Sequence, residues 1–255
     1  MSPVLEVRQL SLRFGALRAV DGVSFQLARG EIRALIGPNG AGKSTCFDLI
    51  SGLRRPDTGS VLLHGRDVTR LSAARRARLG LARTFQIAAV FPSMSVEENV
   101  RLALLARRRR LGVLRSARGL HAAEVEELLA QVGLAGQAAR PAAELAYGDL
   151  KRLELALALA LEPDVLLLDE PTAGMGLPER LDLAGTVVDI ARARGLTVLF
   201  TEHDMDVVFG FAERIMVMDR GRLLCVGTPE EVRADPRVQE VYLRGGALDG
   251  PEAAE

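Results

Sequence analysis

The sequence predicts an α/β fold: a parallel sheet carrying a phosphate-binding loop, an antiparallel β segment at its N-terminal side, and a helical block set into it. Three observations predict it. Short apolar runs at 165–168 and 196–200 alternate with helical stretches, the pattern of strands covered on both faces. A glycine-rich loop, residues 37–45, lies between a strand-like run and a helix. From about residue 87 to 148 the strand pattern gives way to amphipathic helix.

Residues 4–7 and 10–12 alternate well enough for a first strand, and 23–27 reads as its antiparallel neighbour ahead of a turn at 28–30. Phe14 stands between them. Alone it reads as a core or edge aromatic; ahead of a phosphate loop it is suited to stack on an adenine ring, with Val20 lining the same pocket. Residues 33–36 form the next strand. Then come Gly37, Pro38, Asn39, Gly40, Ala41, Gly42, Lys43, Ser44 and Thr45, which fit Gly-x-x-x-x-Gly-Lys-[Ser/Thr], followed by helix at 46–50. Glycines let backbone N–H groups turn inward with no Cβ in the way. The new helix points its positive end at an anion. Lys43 is one of two lysines in a chain that otherwise uses arginine. It supplies a point charge to β- and γ-phosphates, and Ser44 a hydroxyl for Mg²⁺. The chain reads as nucleotide-binding.

Residues 57–59 read as a turn, 60–63 as a strand, 64–67 as another turn and 71–79 as a basic helix. His64 has no metal-ligating residue at ligand spacing and is assigned to the surface. Residues 81–85 return as a strand ending at Gln86, a side chain able to reach Mg²⁺ and an attacking water. Ser95 to Glu98 has the form of a capping box, opening a helix with Val96, Val100, Leu104 and Leu105 on one face. Four arginines at 107–110, with Arg115 and Arg118 behind, read either as a solvated helix end or as contact with anionic headgroups. Residues 121–132 form a second helix and 135–143 a connector.

Residues 145–149 lead into a strong helix at 150–161 that ends at Pro163. Gly148, framed by Ala146, Tyr147 and Asp149, stands at its start, where N–H groups without partners would welcome an anion. Asp169 and Glu170 close the 165–168 strand, at the carboxyl end where open α/β sheets bind ligands. Asp169 is assigned to Mg²⁺ through water, and Glu170 to the water that attacks a γ-phosphate. After a helix at 177–194, His203 ends the 196–200 strand within reach of the same phosphate. A hairpin at 215–218 and 222–226 follows, then two short helices capped at Thr228 and Asp235. Residues 245–255 read as a disordered tail.

Thirty-three basic residues balance thirty-three acidic ones, which argues against a nucleic-acid binder. No apolar run approaches the roughly 18 residues of a membrane span, and the first residues lack a signal peptide's pattern. Two distant cysteines, Cys46 and Cys225, make no disulfide framework.

In order and spacing, Phe14, the 37–45 loop, Gln86, the 145–149 segment, Asp169-Glu170 and His203 resemble the ATP-binding subunit of an ABC transporter, over residues 1–244. The resemblance implies a P-loop NTPase core of the ABC type at 1–86 and 149–244, with a helical lobe at 87–148. It implies ATP and Mg²⁺ as ligands. It also implies a second ABC ATPase subunit, identical or similar, closing head-to-tail so that the Gly148 helix start of one meets the ATP of the other. Membrane permeases would be the direct partners and a periplasmic substrate-binding protein an indirect one, with the chain peripheral at the cytoplasmic face.

Two departures stand out. Ala146, Tyr147 and Asp149 replace the commoner Ser, Gly and Gln, and losing the Ser hydroxyl removes a donor worth about 1.5–3 kcal/mol to a charged acceptor. Gly176 replaces a commoner Asp, which bears on communication across the dimer. These departures, with Arg83-Thr-Phe-Gln86, Glu202-His-Asp-Met205 and Tyr242-Leu243, resemble the ATPases of high-affinity branched-chain amino-acid importers. Importers of urea or other amides and the lipopolysaccharide-export ATPase share much of the pattern. A soluble ABC-type ATPase of DNA repair would carry long heptads between Gly42 and Gly148, and none is sustained here. A regulator that binds ATP without hydrolysis would not need Glu170 and His203.

Overall fold

The computed structural model describes residues 2–84, 90–107 and 121–243. The chain runs β1 (Leu5–Phe14), β2 (Leu17–Leu27), β3 (Ile32–Ile36), α1 (Lys43–Ser51), β4 (Thr58–Leu63), β5 (Arg66–Asp67), α2 (Ala73–Ala77), β6 (Leu81–Arg83) and α3 (Val96–Arg107). It continues with α4 (Ala122–Gln131), two 3₁₀ turns, α5 (Tyr147–Leu159), β7 (Val165–Asp169), α6 (Leu177–Arg194), β8 (Thr197–Thr201) and α7 (Met205–Phe211). Strands β9 (Arg214–Asp219) and β10 (Arg222–Gly227) and helices α8 (Pro229–Ala234) and α9 (Pro236–Leu243) complete it.

The early alternating segments make a small antiparallel sheet in the order β2-β1-β4-β5, and the apolar runs make a larger sheet, β10-β9-β3-β8-β7-β6. All pairings in the larger sheet are parallel except the β9–β10 hairpin at its edge. Its central strands are buried on both faces because each face meets a different core. Leu166, Leu168, Val198 and Phe200 pack under the helices, whereas Val165, Leu167 and Leu199 pack toward α1 and the small sheet. The result brings the carboxyl ends of β3, β8 and β7 side by side, about 4.8 Å per strand step.

Local chemistry explains most boundaries. The Ser95 box closes in both directions: Glu98 N–H donates to Ser95 Oγ at 3.2 Å, and Ser95 N–H donates to Glu98 Oε2 at 2.8 Å. Thr228 and Glu231 repeat the device before α8.

Four readings need correction. Residues 57–59 are not a separate turn, since β4 begins at Thr58. Gly59, at φ +91°, lies against the Arg8 and Gln9 carbonyls where the β1–β4 register shifts, and a Cβ there would come within 2.5 Å of both. Arg66 and Asp67 pair with β4 as a short strand. Only Ala73–Ala77 of the basic 71–79 stretch is helical. The segment after His203 forms a helix, α7, whose cap Asp204 accepts from the N–H groups of Asp206 and Val207. His64 is exposed as expected, yet it has a partner far along the chain: its Nε2 lies 3.0 Å from Asp164 Oδ2. Arg108 to Arg110, Arg115, Arg118 and the 245–255 tail lie outside the described residues.

Candidate nucleotide site

The phosphate loop leaves β3 at Gly37 and enters α1 at Lys43. Gly42 caps the helix at φ +102°, a conformation open to glycine. A Cβ on Gly42 would stand 2.2 Å from the Ala19 carbonyl oxygen of β2, and one on Gly37 2.2 Å from that of Met218 in β9. Gly221, in the β9–β10 turn, donates its N–H to the Ala41 carbonyl at 2.9 Å. Backbone therefore presses on the loop from two strands, which fixes its shape. Asn39, Gly40 and Ser44 are exposed, Pro38 and Thr45 half-buried, and Ala41 buried.

Lys43 is buried, and its Nζ donates to the carbonyls of Gly37 at 2.7 Å and Pro38 at 3.2 Å. Burial lowers its pKa, and the charges of Glu170 and Asp169 oppose that shift. Lys43 thus feels two consecutive carboxylates that lie more than a hundred residues further along the chain.

Asp169 is 3% exposed, and both its oxygens are engaged. Oδ1 accepts from Thr201 Oγ1 at 2.8 Å and Oδ2 from Arg83 Nη2 at 2.8 Å. Glu170 sits at φ +49°, uncommon for a residue with a side chain. Its N–H is held there by the Thr201 carbonyl at 3.1 Å and the Thr201 hydroxyl at 3.0 Å. Glu170 Oε1 and His203 Nε2 lie 2.9 Å apart, so the two residues assigned to the attacking water touch each other directly. Beneath them, buried Glu202 accepts from the Thr172 N–H and hydroxyl and from the His203 N–H. Burial raises the Glu202 pKa, those bonds lower it, and the Glu170 charge adds to the rise.

Phe14 is 44% exposed, but Arg54 covers it with its guanidinium carbon 5.1 Å from the ring centre. Val20 does not line the base pocket. It is fully buried opposite Leu12 in the smaller core and offers no free surface to a ring. Gln86 lies outside the described residues.

Helix α5 starts at Tyr147, ahead of the expected 150, with Ala146 as a cap that makes no side-chain hydrogen bond. A Cβ on Gly148 would meet Met175 at 3.3 Å and the Glu179 carboxylate at 3.8 Å, and nothing of the 37–45 loop is among its nearest neighbours. The Tyr147 ring packs on Gly174 and under the Lys151 ammonium. Asp149 accepts from Gln137 Nε2 at 2.7 Å. The helix tip therefore faces the chain's own 173–179 segment.

The sequence profile described as ABC transporter matches residues 20–173, more than half of the chain. The chain belongs to the ABC transporter family. A second profile, described as branched-chain amino acid ATP-binding cassette transporter, matches residues 222–243 of this ABC cassette. The cassette is similar to the high-affinity branched-chain amino acid transport ATP-binding protein LivG of Salmonella typhimurium, with 40% identity over 94% of this chain and 98% of LivG. It is also similar to the lipopolysaccharide export system ATP-binding protein LptB of Acidithiobacillus ferridurans, with 39% identity over 95% and 98%. Among solved structures, the ADP conformation of MJ1267, an ATP-binding cassette of an ABC transporter, matches with a TM-score of 0.82 and 29% identity, over 95% of this chain and 99% of that one.

As an ABC cassette the chain is an ATPase, and its α/β fold with an antiparallel sheet at one side is that of the family. The cradle suits a polyphosphate, since Gly37 and Gly42 let the loop pack tightly against β9 and β2 while the start of α1 and the Lys43 ammonium lie at it. Among the described residues no group of three or more His, Cys, Asp or Glu side chains could hold a metal ion alone. A Ser hydroxyl and one carboxylate do suit Mg²⁺, which takes few protein ligands and completes its shell with phosphate oxygens and water.

Spacing could not reveal Arg83, Thr201 or Glu202 as parts of this site. In the sequence Arg83 stands out only as part of the Arg-Thr-Phe-Gln string. Its charge partner Asp169 lies 86 residues on.

Proposed function

We propose that the chain is the ATP-hydrolysing subunit of an importer of branched-chain and related hydrophobic amino acids. It would act in a pair with an identical or similar ATPase subunit, bound to membrane permeases at the cytoplasmic face and served by a periplasmic binding protein. The observation that carries the ATPase chemistry is the meeting of Lys43, Asp169, Glu170 and His203 at the carboxyl ends of three adjacent strands. The cargo class rests on residues 222–243 and the LivG likeness. No helix among the described residues is long and apolar enough to cross a membrane, so permeases would supply the span.

In this reading Lys43 turns from the Gly37 and Pro38 carbonyls to the β- and γ-phosphates, and the N–H groups from Gly40 to Thr45 line the cradle. Phe14 stacks on the adenine once Arg54 swings aside. Ser44, Gln86 and Asp169 hold Mg²⁺, the last through water. Bound there, the ion would supply positive charge to offset that of the phosphate oxygens. Glu170 orients the attacking water and takes its proton, and His203 donates to a γ-phosphate oxygen. For both to act, their mutual 2.9 Å contact must open.

The start of α5 at Gly148, with Ala146, Tyr147 and Asp149, would complete the site of the second subunit. A groove of about 460 Å³ between α3 and α5, lined by Phe91, Leu102, Ala106, Leu157 and Leu161, would take a permease segment at the helical lobe, 87–148.

Glu170→Gln tests the chemistry. It should accumulate a dimer with trapped Mg-ATP, seen by light scattering, and a variant that stays monomeric at saturating Mg-ATP refutes the paired site. Deleting the chain's gene should abolish leucine uptake. Intact uptake with a lipopolysaccharide-assembly defect would instead favour the LptB-like reading.

A further inference from the structure

Arg83, the last residue of β6, joins elements that no other described side chain ties together in this way. Its Nη2 donates to Asp169 Oδ2 at 2.8 Å, and its Nη1 to Asp48 Oδ1 at 2.8 Å and Ser51 Oγ at 3.1 Å. The guanidinium lies over the Phe47 ring at 5.7 Å. Phe47, Asp48 and Ser51 all belong to α1, the helix that Lys43 and Ser44 open, whereas Asp169 ends β7. A planar fork suits such a bridge, because its donors point in fixed and different directions. Both carboxylates are also pinned on their far sides, Asp48 Oδ2 by Arg54 Nε at 3.1 Å and Asp169 Oδ1 by Thr201. The Arg83 side chain is 8% exposed, so little water screens the bridge.

We propose that Arg83 is a positioning residue for metal-assisted nucleotide binding. It sets the Asp169 carboxylate against the helix that carries Ser44, so that an Mg²⁺ ion spanning the two finds both donors in register. The inference rests on the reading of Ser44 and Asp169 as the Mg²⁺ side of the site. Arg83 and Thr84 also form part of the wall of the α3–α5 groove, so a segment docked there would press on the same bridge. A mere staple for the edge strand would make a different prediction: its loss would weaken metal-free and metal-bound nucleotide alike.

The experiment is a titration of the full chain with a fluorescent ATP analogue, once in excess Mg²⁺ and once in EDTA, the readout being the ratio of the two affinities. Arg83→Met should shrink that ratio about tenfold, the lower end of what losing the outer support of a metal ligand costs, with the EDTA affinity within about twofold of wild type. Arg83→Lys keeps a charge but cannot span both carboxylates, and should recover less than about half of the lost ratio. Asp48→Asn cuts the α1 side alone and should shrink the ratio about threefold, with no further loss when added to Arg83→Met. Should Arg83→Met fail to fold, Asp48→Asn decides the matter by the same ratio. An unchanged ratio, equal losses with and without metal, or full rescue by Lys overturns the proposal. A wild-type chain with no Mg²⁺ enhancement overturns the underlying metal reading instead.

Discussion

Two glycines of the phosphate loop separate strain from space. Gly40 and Gly42 both lie in the left-handed region, at φ +80° and +102°. An alanine at either therefore carries a similar backbone cost, about 1–2 kcal/mol. Their surroundings differ. A Cβ on Gly40 meets nothing within 4 Å, whereas one on Gly42 lands 2.2 Å from the Ala19 carbonyl oxygen. Ordinary C···O contact is about 3.3 Å, so the loop or β2 must retreat by about 1 Å. The retreat is resisted, because the adjoining Ala41 carbonyl is already held by the Gly221 N–H. A misplacement of that size costs about 100-fold in rate when it separates catalytic groups from their substrate. Gly40→Ala should therefore lower the melting temperature while leaving turnover within about fivefold of wild type, the turnover cost coming from strain alone. Gly42→Ala should lower turnover about 100-fold beyond that. Steady-state phosphate release, with affinity from a nucleotide titration, reads both. If the two alanine variants turn over within a factor of about three of each other, close approach to Ala19 is not what requires Gly42.

Three further outcomes follow from the same geometry. Thr201→Val removes the hydroxyl that donates to Asp169 and accepts from Glu170 N–H. It should cost about 1–3 kcal/mol in urea unfolding and restore with Thr201→Ser, and a cost below about 0.5 kcal/mol would show that the bridge contributes little. Phe14→Ala should weaken ATP by about 1 kcal/mol, roughly fivefold. Unchanged affinity would leave Phe14 only as a rest for Arg54. Glu202 has a folded pKa raised by burial, so its ionised form disfavours the fold. Its contribution is fully present below the ordinary value of 4.5 and fades as pH rises through the raised pKa. Glu202→Gln, which does not ionise, should therefore gain melting temperature relative to wild type as pH climbs from 4.5, and a difference flat with pH would contradict the burial argument.

The parts of the site that the chain spells out consecutively were legible from the sequence. The 37–45 loop needs only its own glycines and the helix that follows, and Asp169-Glu170 needs only the apolar run before it. The same holds for the capping boxes at Ser95 and Thr228, whose donors and acceptors lie within one helical turn. Gly148 could be recognised as a helix start, but the pattern did not disclose that it faces Met175 and Glu179. Nor did it disclose α7, since the three-residue link 202–204 after β8 looked like the end of a strand.

The tertiary structure decided the rest. Sheet order put β8 between β3 and β7, and that order brought His203 onto Glu170 and Thr201 onto Asp169. Val20 alternates like any strand residue, and only the packing of the small sheet buried it completely. Arg83 reads as an unremarkable arginine until β6 pairs with β7 and α1 lies across it. A local motif is written in backbone torsions and neighbouring side chains, so a short window of sequence contains it. A charge bridge between a strand end and a helix depends on which strands lie adjacent, and that is set by the burial of the whole core.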